Sequence, residues 1–170
     1  MKVLRWFGYT VLSVALIVAL ILFGTRYADG PVGILAGGPF TSGETVTGEE
    51  PDWRFVRDTP TIEFQLENPA RSRTTWIIEH EGKIYIPCGY MTTTWGRIWK
   101  RWPIEAERDG RAILRVDGKL YARDLVRVKT DPALESVVDK LSSKYEVPAT
   151  MEAIESESLW VFEMAPSGQE

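Results

Sequence analysis

Apolar positions fall along this 170-residue chain in three patterns. The first is an unbroken run. Residues 6–25 carry no charge, and Val11–Phe23 is interrupted only by Ser13. A helix rising about 1.5 Å per residue covers about 30 Å over that length, the hydrocarbon thickness of a bilayer. The run has no polar face, so it predicts a membrane helix, not a core helix of a soluble domain. Trp6, Phe7 and Tyr9 stand at one end and Tyr27 at the other, where interfacial aromatics belong. Lys2, Arg5 and the amino terminus precede the run, while Arg26 beyond it is offset by Asp29. The positive-inside rule then puts the N-terminus in the cytoplasm and the rest outside. Phe23-Gly24-Thr25 is a poor substitute for an Ala-x-Ala cleavage site, which predicts an uncleaved anchor over residues 1–26.

The second pattern is alternation. Ile62, Phe64 and Leu66 fall on one face of a strand over Thr61–Leu66. Arg73–Glu79 and Lys83–Pro87 predict a hairpin turned by His80-Glu81-Gly82. Arg111–Val116 and Lys119–Val128 predict another around Asp117-Gly118, a strong short hairpin signal. In its second arm the apolar positions shift from Leu120 and Ala122 to Leu125, Val126 and Val128, which predicts a bulge near Asp124. Ser158–Met164 predicts a last strand, with Leu159, Val161 and Phe162 inward.

The third pattern is a helical stripe. Leu134, Val137, Val138, Leu141 and Tyr145 recur at helical spacing behind Asp131 and Pro132 and end before Pro148. A shorter helix is expected over Trp95–Trp102. About six strands, hairpin connections and no βαβ alternation predict a mainly β, α+β domain over residues 53–166. Its expected form is an antiparallel barrel with a packed helix, ending in a short tail, 167–170. Residues 27–52 contain six glycines and three prolines and predict a tether that lifts the domain off the membrane.

Charge narrows the function. The net charge is −4; with Lys2 and Arg5 set aside, 18 basic residues face 24 acidic ones. Nucleic-acid binders carry a positive stripe, so nucleic acid is excluded as a partner. No zinc-ligand spacing occurs, the only histidine is His80 in a predicted turn, and the only cysteine is Cys88, expected as a buried thiol. Two segments nevertheless stay locally basic. Between Glu67 and Glu79 the only charges are Arg71 and Arg73; between Glu81 and Glu105 they are Lys83, Arg97, Lys100 and Arg101. Guanidinium forks with the hydroxyls of Thr74 and Thr75 suit a phosphate, and Trp102 could wall an aromatic ring. The same charges suit two other roles: edge-strand protection, and anchoring to lipid headgroups or a neighbouring subunit.

Over Glu67–Arg123 the order of elements resembles the split β-barrel flavin-binding superfamily of pyridoxamine-phosphate oxidases and deazaflavin-dependent nitroreductases. The residues that carry it are Asn68–Thr75, the Trp76–Ile86 hairpin, and Trp99-Lys100-Arg101-Trp102-Pro103 ahead of an Asp-Gly hairpin. The resemblance implies a split antiparallel β-barrel. It also implies a flavin (FMN or a deazaflavin) whose phosphate is held by Arg71, Arg73, Thr74, Thr75, Arg97 and Lys100, with Trp102 beside the ring. The helix lacks the family's Asn-Leu pair, and the Ser-Gly-x-x-Arg element is not intact. Two functions follow as expectations. One is an accessory or scaffold protein that keeps the barrel without the cofactor and docks on a membrane protein complex or on a second copy. The other is a flavin-binding oxidoreductase held at the bilayer.

Overall fold

The computed structural model describes residues 2–94, 96 and 100–168. Helix α1 spans Lys2–Gly24 and is exposed along its apolar length, with Phe23 edge-on to Tyr27 at its end. Within Val3–Tyr27 an 18-residue stretch reaches a mean hydropathy of 2.4, so this helix is long and apolar enough to cross a membrane. A single 3-10 turn, Thr25–Tyr27, follows directly.

Eight strands form one sheet: β1 (Glu44–Thr45), β2 (Ile62–Glu67), β3 (Ala70–Thr75), β4 (Ile78–His80), β5 (Lys83–Gly89), β6 (Arg111–Val116), β7 (Lys119–Val128) and β8 (Leu159–Pro166). Their order is β3-β2-β6-β7-β8-β5-β4, with β1 beside the start of β7. All ladders are antiparallel except the short β1–β7 pair. The order has a geometric consequence. Strands β3 and β4 lie at opposite ends of the sheet, yet only Trp76 and Ile77 separate them. Three residue steps reach at most about 11 Å, so the sheet curls until its two edges approach each other at that corner.

The predicted hairpins form where turn chemistry demanded them. Asp117 and Gly118 both take positive φ, 50° and 74°, as do Glu81 and Gly82, 51° and 78°. Two-residue hairpin turns of this hand match the twist of the flanking strands. The single strand expected over Arg73–Glu79 is instead two strands. The chain breaks at Trp76-Ile77, where helix α3 (Leu134–Tyr145) supplies replacement partners. The Ile77 N–H donates to Tyr145 Oη at 2.9 Å, Lys144 Nζ donates to the Ile77 carbonyl at 2.9 Å, and Trp76 stacks on Tyr145 at 4.5 Å.

Strand β7 contains no bulge. Its register runs unbroken against β6 and β8, and the inward residues are Tyr121, Arg123 and Leu125. The apolar pattern misplaced this face because a core position is held by an arginine. Helix α2 spans Trp102–Arg108, with Pro103 in its first turn, where a missing N–H costs nothing. Of the helix expected over Trp95–Trp102, Trp95, Arg97, Ile98 and Trp99 lie outside the described residues.

The core has two parts. Phe64, Leu66, Ile84, Ile86, Leu114, Phe162 and Met164 fill one side of the sheet together with Trp53, Met91 and Trp102. On the other side, α3 lays Leu134, Val137, Val138 and Leu141 over Ile78, Tyr85 and Val161, beside the short helix α4 (Met151–Glu155). Each such aliphatic side chain contributes roughly 1.5–3 kcal/mol on burial. Strands β5 and β8 are therefore buried on both faces, which is why Leu159, Val161 and Phe162 are all inside.

Candidate functional site

Strand β3 carries the first predicted cluster. Its register sets Arg71 opposite Leu66 and Arg73 opposite Phe64, so both arginines share the face of inward residues at an edge strand. Inward charges on an edge strand discourage further strand addition. Arg71 Nη2 donates to the Ala36 carbonyl at 2.6 Å. Arg73 Nη1 donates to the Arg71 carbonyl at 3.2 Å, and Nη2 lies 3.4 Å from Glu105 on α2. Burial pushes the pKa of both arginines down. Thr74 is exposed and Thr75 is half-buried.

Lys100 Nζ donates to the Gly89 carbonyl at 3.2 Å and lies over the Tyr90 ring. Beside it sits Cys88, 3% exposed, with its sulfur 3.7 Å from Met91 Sδ. Burial pushes the Cys88 thiol up to about 11, against the pull of the Lys100 and Arg73 charges. Trp102 is in the core, edge-on to Phe64 at 4.9 Å and tilted on Phe162 at 5.3 Å. Arg97 lies outside the described residues. The chain thus gathers Arg71, Arg73 and Lys100 in one region. In the structure Arg71, Arg73 and Lys100 donate to protein carbonyls, Arg73 also pairs with Glu105, and Trp102 is buried.

The segment expected as a tether lies on the sheet. Ser72 Oγ donates to the Gly38 carbonyl at 2.6 Å, the Gly37 N–H donates to the Ser72 carbonyl at 3.0 Å, and the Phe40 N–H donates to Gln65 Oε1 at 2.6 Å. Arg115 clamps the same segment. Its Nε donates to Glu63 at 2.6 Å, its Nη1 to Asp29 at 2.9 Å and its Nη2 to the Asp29 carbonyl at 3.2 Å, with the guanidinium over Phe40. Hydrogen bonds from the Ser42 hydroxyl and the Thr41 N–H, then Arg115, hold the Asp29 carboxyl well below the usual carboxylate range. A groove of about 790 Å³ runs along this junction, lined by Asp29, Ser42, Glu63, Thr74, Arg115 and Asp117 among others. Among the described residues, Thr74 is the only predicted site residue that lines it.

A second cleft, about 330 Å³, lies between β4 and α3. Arg57, Lys140 and Lys144 surround Glu79, whose side chain is buried. Burial pushes the Glu79 carboxyl up, but hydrogen bonds from Arg57 at 2.6 Å and the Gly82 N–H at 3.0 Å, with the Arg57 and Lys140 charges, outweigh it and hold the pKa down. Lys140 and Lys144 spend donors on the carbonyls of Glu79, Val56 and Ile77.

Among the described residues no group of three His, Cys, Asp or Glu side chains is placed to hold a metal ion. Arg115, Arg123, Asp29 and Glu79 are not among the residues expected from the sequence to form a site. Strict alternation through Tyr121, Arg123 and Leu125 was the one available signal, for Arg123.

No protein-family model matches the chain, and neither does a curated protein. Among solved structures, the chain is similar to the conserved hypothetical protein Rv2991 from Mycobacterium tuberculosis. The identity is 14%, with 76% of this chain and 85% of that one covered, at a TM-score of 0.48.

Proposed function

We propose that the chain is a membrane-anchored accessory protein. Helix α1 spans the bilayer with the N-terminus in the cytoplasm. The curled sheet, arranged as a split β-barrel, stands outside and docks on a membrane protein complex or on a second copy of itself. The single observation that supports this over an enzymatic role is the state of the basic donors. Arg71, Arg73 and Lys100 serve internal carbonyls and Glu105, as structural side chains do. The orientation rests on Lys2 and Arg5 ahead of the helix.

One observation favours a second reading, a flavin-binding protein. Arg73 and Lys100 both act on Cys88, so positive charge is concentrated beside α2. A bound flavin would do redox chemistry there, with the protein supplying binding and orientation. Extraction from native membranes in a mild detergent, with sizing and an absorbance spectrum of the same peak, separates the two. Co-migration with other subunits, or self-association without flavin bands, is expected. A lone monomer carrying flavin absorbance would overturn the accessory reading.

A further inference from the structure

The chain turns back on the short stretch that follows α1. The Gly38 N–H donates to the Ala28 carbonyl at 3.1 Å. A Cβ at Gly37 would lie 1.7 Å from the Gly30 carbonyl oxygen, and one at Gly38 2.4 Å from the Arg26 carbonyl oxygen, so only glycine permits this approach. Further on, Val32 and Leu35 exchange both backbone hydrogen bonds, at 3.1 and 3.0 Å, around Gly33 and Ile34. Residues 28–38 therefore form a small hairpin-shaped loop. Its base is the last turn after the membrane helix, and its tip is Val32-Gly33-Ile34-Leu35.

The tip has no polar side chain, and no charged residue occurs between Asp29 and Glu44. Ile34 is 90% exposed, Val32 47% and Tyr27 78%. Ile34 is thus almost wholly unpartnered in the chain. The base is different. Arg71 bonds the Ala36 carbonyl in the loop's returning arm, and its guanidinium is close enough to Arg26 for the like charge to depress its pKa further, after burial. Glu105 bonds Arg73, and its charge also acts on Arg71. Among the described residues neither Arg26 nor Arg71 is hydrogen-bonded to a carboxylate. An aliphatic tip with Arg26 at its base, on the end of a spanning helix, has the composition of an interfacial anchor: apolar side chains at the acyl boundary, a cation at lipid phosphates.

We propose that this loop is a second attachment to the bilayer that α1 crosses. Val32, Ile34 and Tyr27 seat in the interfacial layer of the leaflet where α1 ends, and Arg26 faces lipid phosphates, while Arg71 holds the loop to the sheet through the Ala36 carbonyl. The proposal rests on the reading of α1 as a membrane-spanning helix. Helix and loop together fix the domain's orientation over the membrane, because Arg71, Ser72, Gln65 and Arg115 hold the segment to the sheet.

Full-length protein in lipid nanodiscs tests this with an environment-sensitive fluorophore on single cysteines: Ile34→Cys, Leu16→Cys within α1, and Glu152→Cys on the exposed side of α4. The wild-type chain, whose Cys88 is buried, gives the background. Spin-labelled lipids should quench Ile34→Cys most strongly from a headgroup-proximal position and Leu16→Cys from a deep one. Glu152→Cys should respond only to an aqueous quencher. Aqueous quenching at Ile34→Cys equal to that at Glu152→Cys, with Leu16→Cys still quenched by lipid, overturns the proposal and leaves the anchor standing. Protection of Ile34→Cys from both quenchers also overturns it, in favour of a protein contact. Loss of lipid quenching at Leu16→Cys removes the anchor reading and this proposal together.

Discussion

Arg123 Nη1 donates to Glu50 Oε1 at 2.7 Å, from a position on β7 that is 2% exposed. The other oxygen of Glu50 accepts the Trp53 indole N–H at 2.7 Å, and the guanidinium lies over the Trp53 ring at 4.8 Å. A buried cation thus fastens the end of the lead-in to the sheet. Glu50→Ala would leave that cation without its anion. Removing one partner of a fully buried pair costs roughly 3–5 kcal/mol; Glu50 is 39% exposed, so a loss of about 2 kcal/mol is expected. Denaturant unfolding of the full-length protein in detergent reads it as a lowered midpoint. An unchanged midpoint would contradict the fastening role.

The corner between β3 and β4 depends on one hydroxyl. Tyr145 Oη receives the Ile77 N–H and reaches the carbonyls of Pro60 and Ile77 at 2.9 and 3.0 Å. Tyr145→Phe strands the N–H of a fully buried residue, at an expected cost of about 1–3 kcal/mol. The same unfolding measurement reads this loss. The aromatic stack on Trp76 should survive, so native tryptophan fluorescence should stay unchanged while the midpoint falls.

Acid should loosen the domain through two carboxyls. Glu79 and Asp29 both titrate below their ordinary range when folded. In the unfolded chain they titrate near about 4.3 and 3.9. Their contribution is therefore complete above those values and is lost as pH falls through the lower folded ones. Stability measured across pH should drop below about pH 4.3, and Glu79→Gln should flatten part of that drop. Equal slopes in the two proteins would contradict the assignment for Glu79.

Cys88 should be inert when folded. It is 3% exposed, with its pKa pushed up to about 11, so little thiolate forms at neutral pH. A thiol reagent should modify the chain only after denaturation; rapid labelling of the native protein would contradict this.

Features with their own local cause were legible in the sequence. The charge-free run gave the helix over Lys2–Gly24, Asp117-Gly118 and Glu81-Gly82 gave their hairpins, and the stripe from Leu134 to Tyr145 gave α3. Features that depend on a distant partner were not. Nothing in Trp76-Ile77 announces a strand break, because the groups that replace the ladder there come from Lys144 and Tyr145. Arg123 looks like a surface charge until Glu50 and Trp53 are placed beside it. Residues 27–52 have the composition of a linker; Arg71 and Ser72 hold part of them by donating to the carbonyls of Ala36 and Gly38, contacts that leave no mark in composition. Arg71, Arg73 and Lys100 stand out in the sequence as local basic charge, but the acceptors they meet, the carbonyls of Ala36, Arg71 and Gly89 and the Glu105 carboxylate, do not.

The most direct measurement of the membrane-anchored account is the side of the membrane on which the domain lies. Glu152→Cys presents an exposed thiol beside a buried native one, and a membrane-impermeant maleimide can be applied to intact cells. The account predicts labelling without permeabilisation, on a chain that remains in the membrane after an alkaline wash and whose mass still includes residues 1–24. Labelling only after permeabilisation, or a labelled chain that has lost α1, would contradict it.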